Sequence, residues 1–222
     1  MKILITGSSN GIGLAVSKHF LSLGFEVIGI DKEPSKINDA KYSHFICDVT
    51  DEKSLPNLTN LDYIFSNAGT QNGVDDIDTN LKGTINIIEK YGFNDGIKSI
   101  LFNASASARS GFEFPKYAAS KAGVVGYMKN VASRLAKNGV TVNSISLGGV
   151  LTDSNSLVME DEECWKQIMK VTPLKKWMDL EEVCKWVYFL LIENKSMSGQ
   201  DVLIDNGEND LNCTFVWKNS AN

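Results

Sequence analysis

The segment KYAASKAG, residues 116–123, places a phenol and an ammonium group one helical turn apart. Tyr117 and Lys121 are separated by four positions, so on a helix their side chains would lie on the same face. A free tyrosine has a pKa of about 10, and a lysine charge about 5 Å away, at an effective dielectric of about 20, favours the phenolate by roughly 3 kcal/mol, or about two pKa units. The pattern therefore predicts a tyrosine that exchanges a proton near neutral pH. The same spacing is also typical of a solvated helix face, so the prediction depends on the rest of the sequence.

The composition is that of a globular protein: 222 residues, of which 43% are hydrophobic and 22% charged, with a net charge of −5. One domain with its own core is expected, and the acidic balance argues against nucleic acid or an anionic membrane as the main partner. No apolar run approaches the roughly 18 residues of a transmembrane helix, and the opening segment MKILITG runs straight into a predicted strand without a signal-peptide pattern. We therefore expect a cytoplasmic protein. With two histidines and four widely spaced cysteines, no metal site is predicted.

The elements that must position the pair alternate between strands and helices along the chain. Strands are predicted at 2–6, 26–30, 44–47, 62–65, 99–102, 141–145 and 201–204, and helices at about 11–23, 79–90, 115–137, 155–169 and 180–193. Several strands are apolar on both faces, which is typical of a parallel sheet covered by helices on both sides. The prediction is an α/β fold: a single Rossmann-type doubly wound parallel sheet of about seven strands. The connections near 51–61 and 71–79 are short, and the tail containing Phe215 and Trp217 has no clear periodicity.

The first predicted strand ends in a glycine-rich segment, TGSSNGIG, residues 6–13. Gly7, Gly11 and Gly13 stand where a strand turns into a helix, which allows close backbone approach to a phosphate at the helix N-terminus. Asp31 follows Gly11 by 20 positions, at the end of the second strand, where a carboxylate can accept hydrogen bonds from a ribose. The combination predicts a dinucleotide site.

The same segment contains GSSNG, which matches the G-x-S-x-G nucleophile elbow of hydrolases, with Ser9 as the nucleophile. That mechanism needs an acid and then a histidine later in the chain. The chain has no histidine after His44, and Ser9 follows the very first strand. The hydrolase interpretation is therefore rejected.

Together these segments resemble the short-chain dehydrogenase/reductase family over nearly the whole chain. TGSSNGIG looks like the family's TGxxxGIG loop, SNAG like its NAG motif, and SLGGVLT like its PGxVxT segment, while CDVT, TNLKG and FNAS match further motifs in the same order. The resemblance implies a catalytic tetrad of Asn80, Ser105, Tyr117 and Lys121. It also implies cofactor contacts from Gly7, Ser9, Asn10, Gly11, Ile12, Gly13, Asp31, Lys32, Asp48, Val49, Asn67, Ala68, Gly69, Tyr117, Lys121, Val150 and Thr152. Of these, Asp48 would contact the adenine, and Val150 and Thr152 the nicotinamide amide.

Three features depart from the family pattern. Leu147 stands where the PG dipeptide has proline, which would loosen that turn without removing a catalytic group. The spacing from Ser105 to Tyr117 is one residue short, so Ser107 is an alternative to Ser105. The connections at 51–61 and 71–79 are shorter than in typical members.

The resemblance implies an oxidoreductase that interconverts a secondary alcohol and a ketone by hydride transfer, with a cofactor half at about 1–95 and a catalytic and substrate half at about 96–210. NAD is expected rather than NADP because Asp31 would repel a 2′-phosphate, although Lys32 could attract one. The small residues of the helix from Pro115 permit close helix packing, either within one subunit or, as the resemblance implies, between the subunits of a homodimer or homotetramer. The alternative is a catalytically silent NAD(P)-binding sensor or regulatory protein.

The substrate of such an enzyme is a small carbonyl or alcohol compound that the sequence does not identify. Residues 106–112 and 151–159 are expected to line its site. Arg109 is the one candidate for binding an acidic substrate group, with a surface role as the other possibility.

Overall fold

One sheet of seven parallel strands forms the centre of the computed structural model, which describes residues 1–71, 73–111 and 114–211. The strands are β1 (Lys2–Thr6), β2 (Glu26–Asp31), β3 (Tyr42–Ile46), β4 (Tyr63–Ser66), β5 (Ser99–Asn103), β6 (Thr141–Leu147) and β7 (Asp201–Ile204). Their order is β3-β2-β1-β4-β5-β6-β7, and every pairing is parallel. The predicted doubly wound sheet is confirmed.

Helices cover both faces of this sheet. The helices are α1 (Gly11–Ser22), α2 (Thr84–Tyr91), α3 (Ser107–Ser110), α4 (Pro115–Leu135), α5 (Ser156–Glu160), α6 (Glu162–Val171) and α7 (Leu180–Tyr188). A π-helical segment, Ile77–Gly83, leads into α2, and a second one, Phe189–Glu193, follows α7; short 3-10 turns lie at Ala136–Asn138 and Asp153–Asn155.

The alternation of side chains along β1 shows why both faces of the sheet must be covered. Leu4 packs in the core formed with α2 and α4, whereas Ile3 and Ile5 pack in the core formed with α1 and α7, and all three are fully buried. Burying such a side chain is worth roughly 1.5–3 kcal/mol. Two apolar layers, one on each face, therefore hold the sheet rigidly.

The predicted helix at 155–169 is wrong as a continuous element, because it is two helices. The chain at Asp161 is extended (φ −86°, ψ 102°), and the Asp161 carboxylate caps α6 by accepting a hydrogen bond from Cys164 N at 2.9 Å. Two smaller differences are that β3 begins at Tyr42 rather than at 44, and that α3 was not predicted.

The carboxyl ends of the parallel strands meet at one edge of the sheet, where the predicted motifs are found. The chain runs outward from β1 to β3 and then returns to β4 on the other side of β1, so the sheet has a switch point between β1 and β4. In open α/β sheets, ligands bind in the crevice at such a point.

None of the helices in the described ranges is both long and apolar enough to cross a membrane.

Candidate active site

The loop between β1 and α1 turns tightly, and glycine is what permits the turn. Gly7 and Gly11 have φ angles of +68° and +49°, in the left-handed region that L side chains rarely adopt. A methyl group at Gly13 would lie 2.0 Å from the carbonyl oxygen of Gly7, so no larger residue fits there without a shift. The loop therefore brings bare backbone to the N-terminus of α1, where main-chain N–H groups and the helix dipole favour a phosphate.

Asp31, the last residue of β2, is held against this glycine loop. Its Oδ2 accepts a hydrogen bond from Ser9 N at 2.9 Å, and its Oδ1 accepts one from Glu33 N at 3.0 Å. Each carboxylate oxygen has a further lone pair with which to accept from a ribose hydroxyl. Ser9 is fully buried and its hydroxyl donates to the Glu33 carbonyl at 3.0 Å, an arrangement unlike that of an exposed nucleophile.

The connection from Asp31 to β3 contains Lys32 and Lys36. Lys32 follows Asp31 directly in the chain and is exposed, and its charge helps to lower the pKa of Asp48. Lys36, which the sequence analysis missed, donates from its Nζ to Asn10 Oδ1 and so reaches back to the glycine loop. The signal for Lys36 was the second lysine of DKEPSK, but its sequence distance from Asn10 gave no reason to pair them.

The predicted NAG motif packs directly on the end of β1. Asn67 N and Ala68 N both donate to Thr6 Oγ1 at 2.9 Å, and Asn67 Nδ2 donates to the Thr6 carbonyl at 3.0 Å. A methyl group at Gly7 would lie 2.9 Å from Ala68 Cα. The strand end, the glycine loop and the NAG motif therefore form one closely packed unit.

Asp48 and Val49 lie just beyond β3. Thr50 N and Thr50 Oγ1 both donate to Asp48 Oδ1 at 2.8 Å, and the backbone hydrogen bond from Thr50 holds the pKa of Asp48 below its ordinary value. Val49 is buried against Gly83, where an added methyl group would lie 2.5 Å from the Val49 side chain. An exposed, ionised carboxylate is thus fixed beside a buried apolar anchor.

Lys121 is buried although its side chain ends in an ammonium group. It is 5% exposed, its Nζ donates to the Asn103 carbonyl at 2.8 Å, and Nζ lies 5.7 Å from the centre of the Tyr117 ring. Burial lowers the pKa of Lys121 from 10.5 to about 8. The phenol and the ammonium group lie together on the first turns of α4, a helix that Pro115 suits at its first position.

A carboxylate that the sequence analysis missed acts on the same lysine. Asp76 is fully buried just before the π-helical segment, and its Oδ2 accepts from Gly73 N at 2.9 Å. Its charge raises the pKa of Lys121 and so opposes the effect of burial. The sequence around Asp76 is polar and without periodicity, so a buried acid could not be distinguished from a surface one.

Asn80 is buried on the π-helical segment between Gly69 and α4. Its Oδ1 accepts from Thr70 N at 2.7 Å, and its Nδ2 donates to the Thr70 carbonyl and to Ser120 Oγ, both at 2.9 Å. A methyl group at Gly69 would lie 2.9 Å from Asn80 Oδ1 and 3.4 Å from Lys121 Nζ, so these two atoms approach the same point. Oδ1 has a second lone pair with which it could hold a water there.

Ser105 and its alternative, Ser107, are neighbours in the structure. Both are buried, Ser105 Oγ donates to Ser107 Oγ at 3.2 Å, and Ser107 N donates back to Ser105 Oγ at 3.2 Å. Both line the same cavity as Tyr117. The spacing to Tyr117 left Ser105 and Ser107 as alternatives, and the structure places their two hydroxyl groups in contact.

The segment that resembles PGxVxT is held by the sheet without its proline. Leu147 is the buried last residue of β6, and Val150 pairs with Met178 in an isolated parallel bridge. Thr152 reaches the glycine loop, since a methyl group at Gly11 would lie 4.0 Å from Thr152 Cγ2. These contacts hold Val150 and Thr152 in place next to the glycine loop.

Comparison with known proteins agrees with this geometry. A sequence model of the family described as "Enoyl-(Acyl carrier protein) reductase" matches residues 7–209. Carbonyl reductase family member 4 of Xenopus tropicalis is 30% identical over 236 residues, covering 91% of this chain and 95% of its own length. A short chain dehydrogenase family protein from Francisella tularensis subsp. tularensis SCHU S4 has a TM-score of 0.86 and 27% identity, over 95% of this chain and 99% of its own. The chain belongs to the short-chain dehydrogenase/reductase family.

The same fold is found in 4-hydroxyisoleucine dehydrogenase complexed with NADH, which has a TM-score of 0.88 and 23% identity over 95% of this chain and 99% of its own. The short-chain dehydrogenases/reductases are NAD(P)-dependent oxidoreductases, and the residues of this member fit such a cofactor. The positive φ of Gly7 turns the chain tightly, and the lack of a side chain at Gly13 lets the start of α1 pack on that turn. Backbone N–H groups at the N-terminus of α1 are thus left to bind a pyrophosphate. The fixed Asp31 carboxylate lies where it can accept from a ribose.

A cavity of about 810 Å³ lies beside Ser105 and Tyr117 in this short-chain dehydrogenase/reductase. Its described lining is formed by Ile12, Gln71, Asn103, Ala104, Ser105, Ala106, Ser107, Arg109, Ser110, Phe114, Tyr117, Leu147, Gly148, Gly149, Val150, Thr152, Asn155, Val158, Ile168, Val171, Trp177, Glu208, Asn209 and Asp210. The sequence analysis missed the contributions of α6, Trp177 and residues 208–210. Phe112, which it had included, lies outside the described residues.

Trp177 forms one wall of this cavity by packing on bare backbone. A methyl group at Gly149 would lie 2.0 Å from both Nε1 and Cε2 of the Trp177 ring, and Trp165 meets the same ring edge-to-face with centroids 5.0 Å apart. The signal for this contact in the sequence was the second glycine of SLGGVLT, since any larger residue at Gly149 would overlap the Trp177 ring.

Proposed function

We propose that this chain is an NAD(P)-dependent oxidoreductase that interconverts a secondary alcohol and a ketone through Asn80, Ser105, Tyr117 and Lys121. The observation that carries the proposal is the buried Lys121 ammonium, with its Nζ 5.7 Å from the centre of the Tyr117 ring, beside a cavity that Tyr117 and Ser105 share. Burying a lysine is costly, and perturbed ionisable groups next to a cavity mark functional sites. The cofactor half is residues 1–95, and the catalytic half is residues 96–210.

Tyr117 is the proton donor in the proposed reduction. A bound nicotinamide cofactor would supply a hydride to the carbonyl carbon, so that negative charge would develop on the carbonyl oxygen. Tyr117 delivers a proton to that oxygen, and Ser105 stabilises the developing charge by a hydrogen bond. In alcohol oxidation Tyr117 accepts the proton instead.

Lys121 and Asn80 support that proton transfer. The ammonium charge of Lys121 favours the phenolate form of Tyr117, and Lys121 also binds the nicotinamide ribose. Asn80 Oδ1 and Lys121 Nζ approach the same point, which supports a water held between them that exchanges protons with solvent. Asn80 is itself fixed by Thr70 and Ser120, so it is a positioning residue in this mechanism.

NAD is the proposed cofactor in preference to NADP. The Asp31 carboxylate is held rigidly by Ser9 N and Glu33 N, so it cannot swing away from a 2′-phosphate at little cost. The positive charges of Lys32 and Lys36 would attract a 2′-phosphate and so would reduce the preference for NAD over NADP.

We also propose a homodimer or homotetramer through α4. Ala118 and Ser120 are buried within the subunit, and a methyl group at Gly123 would lie 2.8 Å from Leu81, so part of the small-residue stripe serves internal packing. Ala119 and Gly126 are exposed on the same helix and would form the subunit contact. Light scattering that gives the mass of a single subunit would contradict this.

The test of the function is NADH-dependent reduction of a panel of ketones by the protein and by Tyr117→Phe. Since general acid catalysis contributes about 10²- to 10⁴-fold, we expect Tyr117→Phe to lose at least 100-fold in kcat while it binds NADH normally. The control is Tyr127→Phe, on the same helix. It removes a tyrosine hydroxyl that donates to Glu89 at 2.8 Å. Undiminished turnover by Tyr117→Phe would contradict the mechanism, and NADH binding without turnover of any ketone would favour the silent sensor.

A further inference from the structure

The charged residues of the substrate cavity are unevenly balanced. Three of its described lining residues carry a formal charge: Arg109, Glu208 and Asp210. The rest of the described lining is uncharged, with an apolar wall that includes Phe114, Val158 and Trp177. Whether the cavity can bind an anionic substrate therefore depends on whether the Arg109 guanidinium is available to pair with it.

The guanidinium of Arg109 is already matched by carboxylates. Its Nε donates to Asp201 Oδ2 at 3.1 Å, its Nη2 donates to the Asp201 carbonyl at 2.8 Å, and its Nη1 lies 3.6 Å from Asp210 Oδ2. We call these three residues the Arg109 clasp. Two carboxylates share one guanidinium, so the clasp has a net negative charge.

The clasp is built into the sheet and is more than a chance surface contact. The Asp201 side chain is 9% exposed, and its Oδ1 accepts hydrogen bonds from Ser144 Oγ at 2.7 Å and Ser146 Oγ at 2.8 Å. The strand pair β6–β7 thus fixes the carboxylate to which Arg109 is bound. Arg109 is thus held by one oxygen of a fixed carboxylate and by the main-chain carbonyl of the same residue. Hydrogen bonds between ionised groups are among the stronger ones in proteins, so an incoming anion has to compete with them.

Glu208 adds a third carboxylate on the turn that follows β7. Its Oε1 accepts from Thr172 Oγ1 at 2.5 Å, which holds the side chain at the cavity. Glu208 and Asp210 both line the cavity, so each would repel a carboxylate or phosphate on a bound substrate.

We propose that the site takes ketones and alcohols whose end remote from the reacting carbon is uncharged, and that the Arg109 clasp with Glu208 excludes carboxylate- and phosphate-bearing ones. The proposal rests on the function proposed above. In this proposal Arg109 has a structural role in the cavity wall and does not bind an acidic group of the substrate.

The test compares two ketones of the same shape, 4-acetylbenzamide and 4-acetylbenzoate, with acetophenone as the parent. The expected result is a kcat/KM for the amide at least tenfold above that for the benzoate at low salt. The ratio should narrow at 0.5 M KCl, because salt screens charges near the surface. Asp210→Asn should lower the ratio at least threefold by raising kcat/KM for the benzoate. Asp210 has an exposed side chain, so this variant should fold.

The matched control is Asp95→Asn, an exposed carboxylate on the connection from α2 to β5, at the opposite end of the strands. In Asp95→Asn the ratio of kcat/KM for the amide to kcat/KM for the benzoate should equal that of the unmodified protein. Equal turnover of amide and benzoate, or an unchanged ratio in Asp210→Asn, would overturn the inference while leaving the proposed function intact. Reduction of acetophenone but of neither probe would also overturn it, since an uncharged polar end would then be excluded too. Reduction of no ketone at all would instead refute the proposed function, and the inference with it.

Discussion

The Tyr117–Lys121 pair shows what single residues reveal before a structure is known. Their spacing fixes a shared helix face, and the glycine loop and Asp31 supply the context that a lone pair lacks. The sequence could not reveal that Lys121 is buried or that Asp76 lies buried near it. Burial depends on the packing of the π-helical segment against α4, which no local pattern encodes. The proximity of the two side chains was predictable, whereas the electrostatic setting of the pair was not.

The burial of Lys121 should make stability depend on pH. Its pKa is lowered to about 8 in the folded protein, against 10.5 for an ordinary lysine, so between these values the unfolded chain binds the proton and the folded protein does not. Stability rises with pH in that window, by about 1.4 kcal/mol per pKa unit, or roughly 3 kcal/mol in all. Relative to Lys121→Met, the unmodified protein should therefore gain free energy of unfolding as pH rises from 8 towards 10.5.

Urea unfolding of both proteins at pH 7.5 and pH 10 measures this difference, in which the other titrating groups largely cancel. The control is Lys129→Met, an exposed lysine on the same helix, for which the difference from the unmodified protein should not change with pH. A pH-independent difference for Lys121→Met would show that Lys121 is not desolvated.

Asp31 should determine which cofactor binds more tightly. At an effective dielectric of about 20, a like-charge contact at about 5 Å costs roughly 3 kcal/mol, so removing the carboxylate charge should favour a 2′-phosphate. In Asp31→Asn the ratio of the NADPH Kd to the NADH Kd should fall at least tenfold, as measured by energy transfer from the four tryptophans. Asp39→Asn, an exposed acid on the same connection, is the control. An unchanged ratio would leave Asp31 with no role in specificity.

At the scale of elements, turns that need glycine were easier to predict than breaks within helices. TGSSNGIG has glycines where positive φ and close packing require them, so the strand–loop–helix unit could be predicted. The break at Asp161 was missed because apolar periodicity continues across it. Its signal was nevertheless present, as an aspartate that caps a helix with Glu162 and Glu163 in its first turn.

The glycine loop provides a test that uses the same chemical change at two sites. In Gly13→Ala the new methyl group would lie 2.0 Å from the Gly7 carbonyl oxygen, so the loop must shift, and we expect lower thermal stability and at least tenfold weaker NADH binding. In Gly126→Ala, on α4, no atom of the same subunit lies within 4 Å of the new methyl group, so NADH binding should be unchanged. Thermal melts and NADH titrations of both variants measure the contrast. Normal NADH binding by Gly13→Ala would show that the loop does not form the dinucleotide site.

For the whole molecule, the alternation of strands and helices predicted the parallel sheet and the strand edge at which the site lies. The wall of the cavity could not be predicted in the same way. Arg109 on α3 meets Asp201, the first residue of β7, only because β5, β6 and β7 are neighbours in the sheet, although the two residues are 92 positions apart. Trp177 likewise reaches Gly149 through a fold that brings distant segments together. The wall of the cavity is built from such long-range contacts, which is why the sequence indicated the family but not the lining of this cavity.

The central claim is that the protein transfers a hydride from a nicotinamide to a carbonyl carbon. The most direct measurement uses NADH labelled with deuterium on either face of the nicotinamide C4, followed by mass analysis of the alcohol formed from a reduced ketone. A single binding orientation predicts one deuterium in the product from one of the two labelled forms and none from the other. An alcohol that contains no deuterium from either form would contradict direct hydride transfer and, with it, this account of the site.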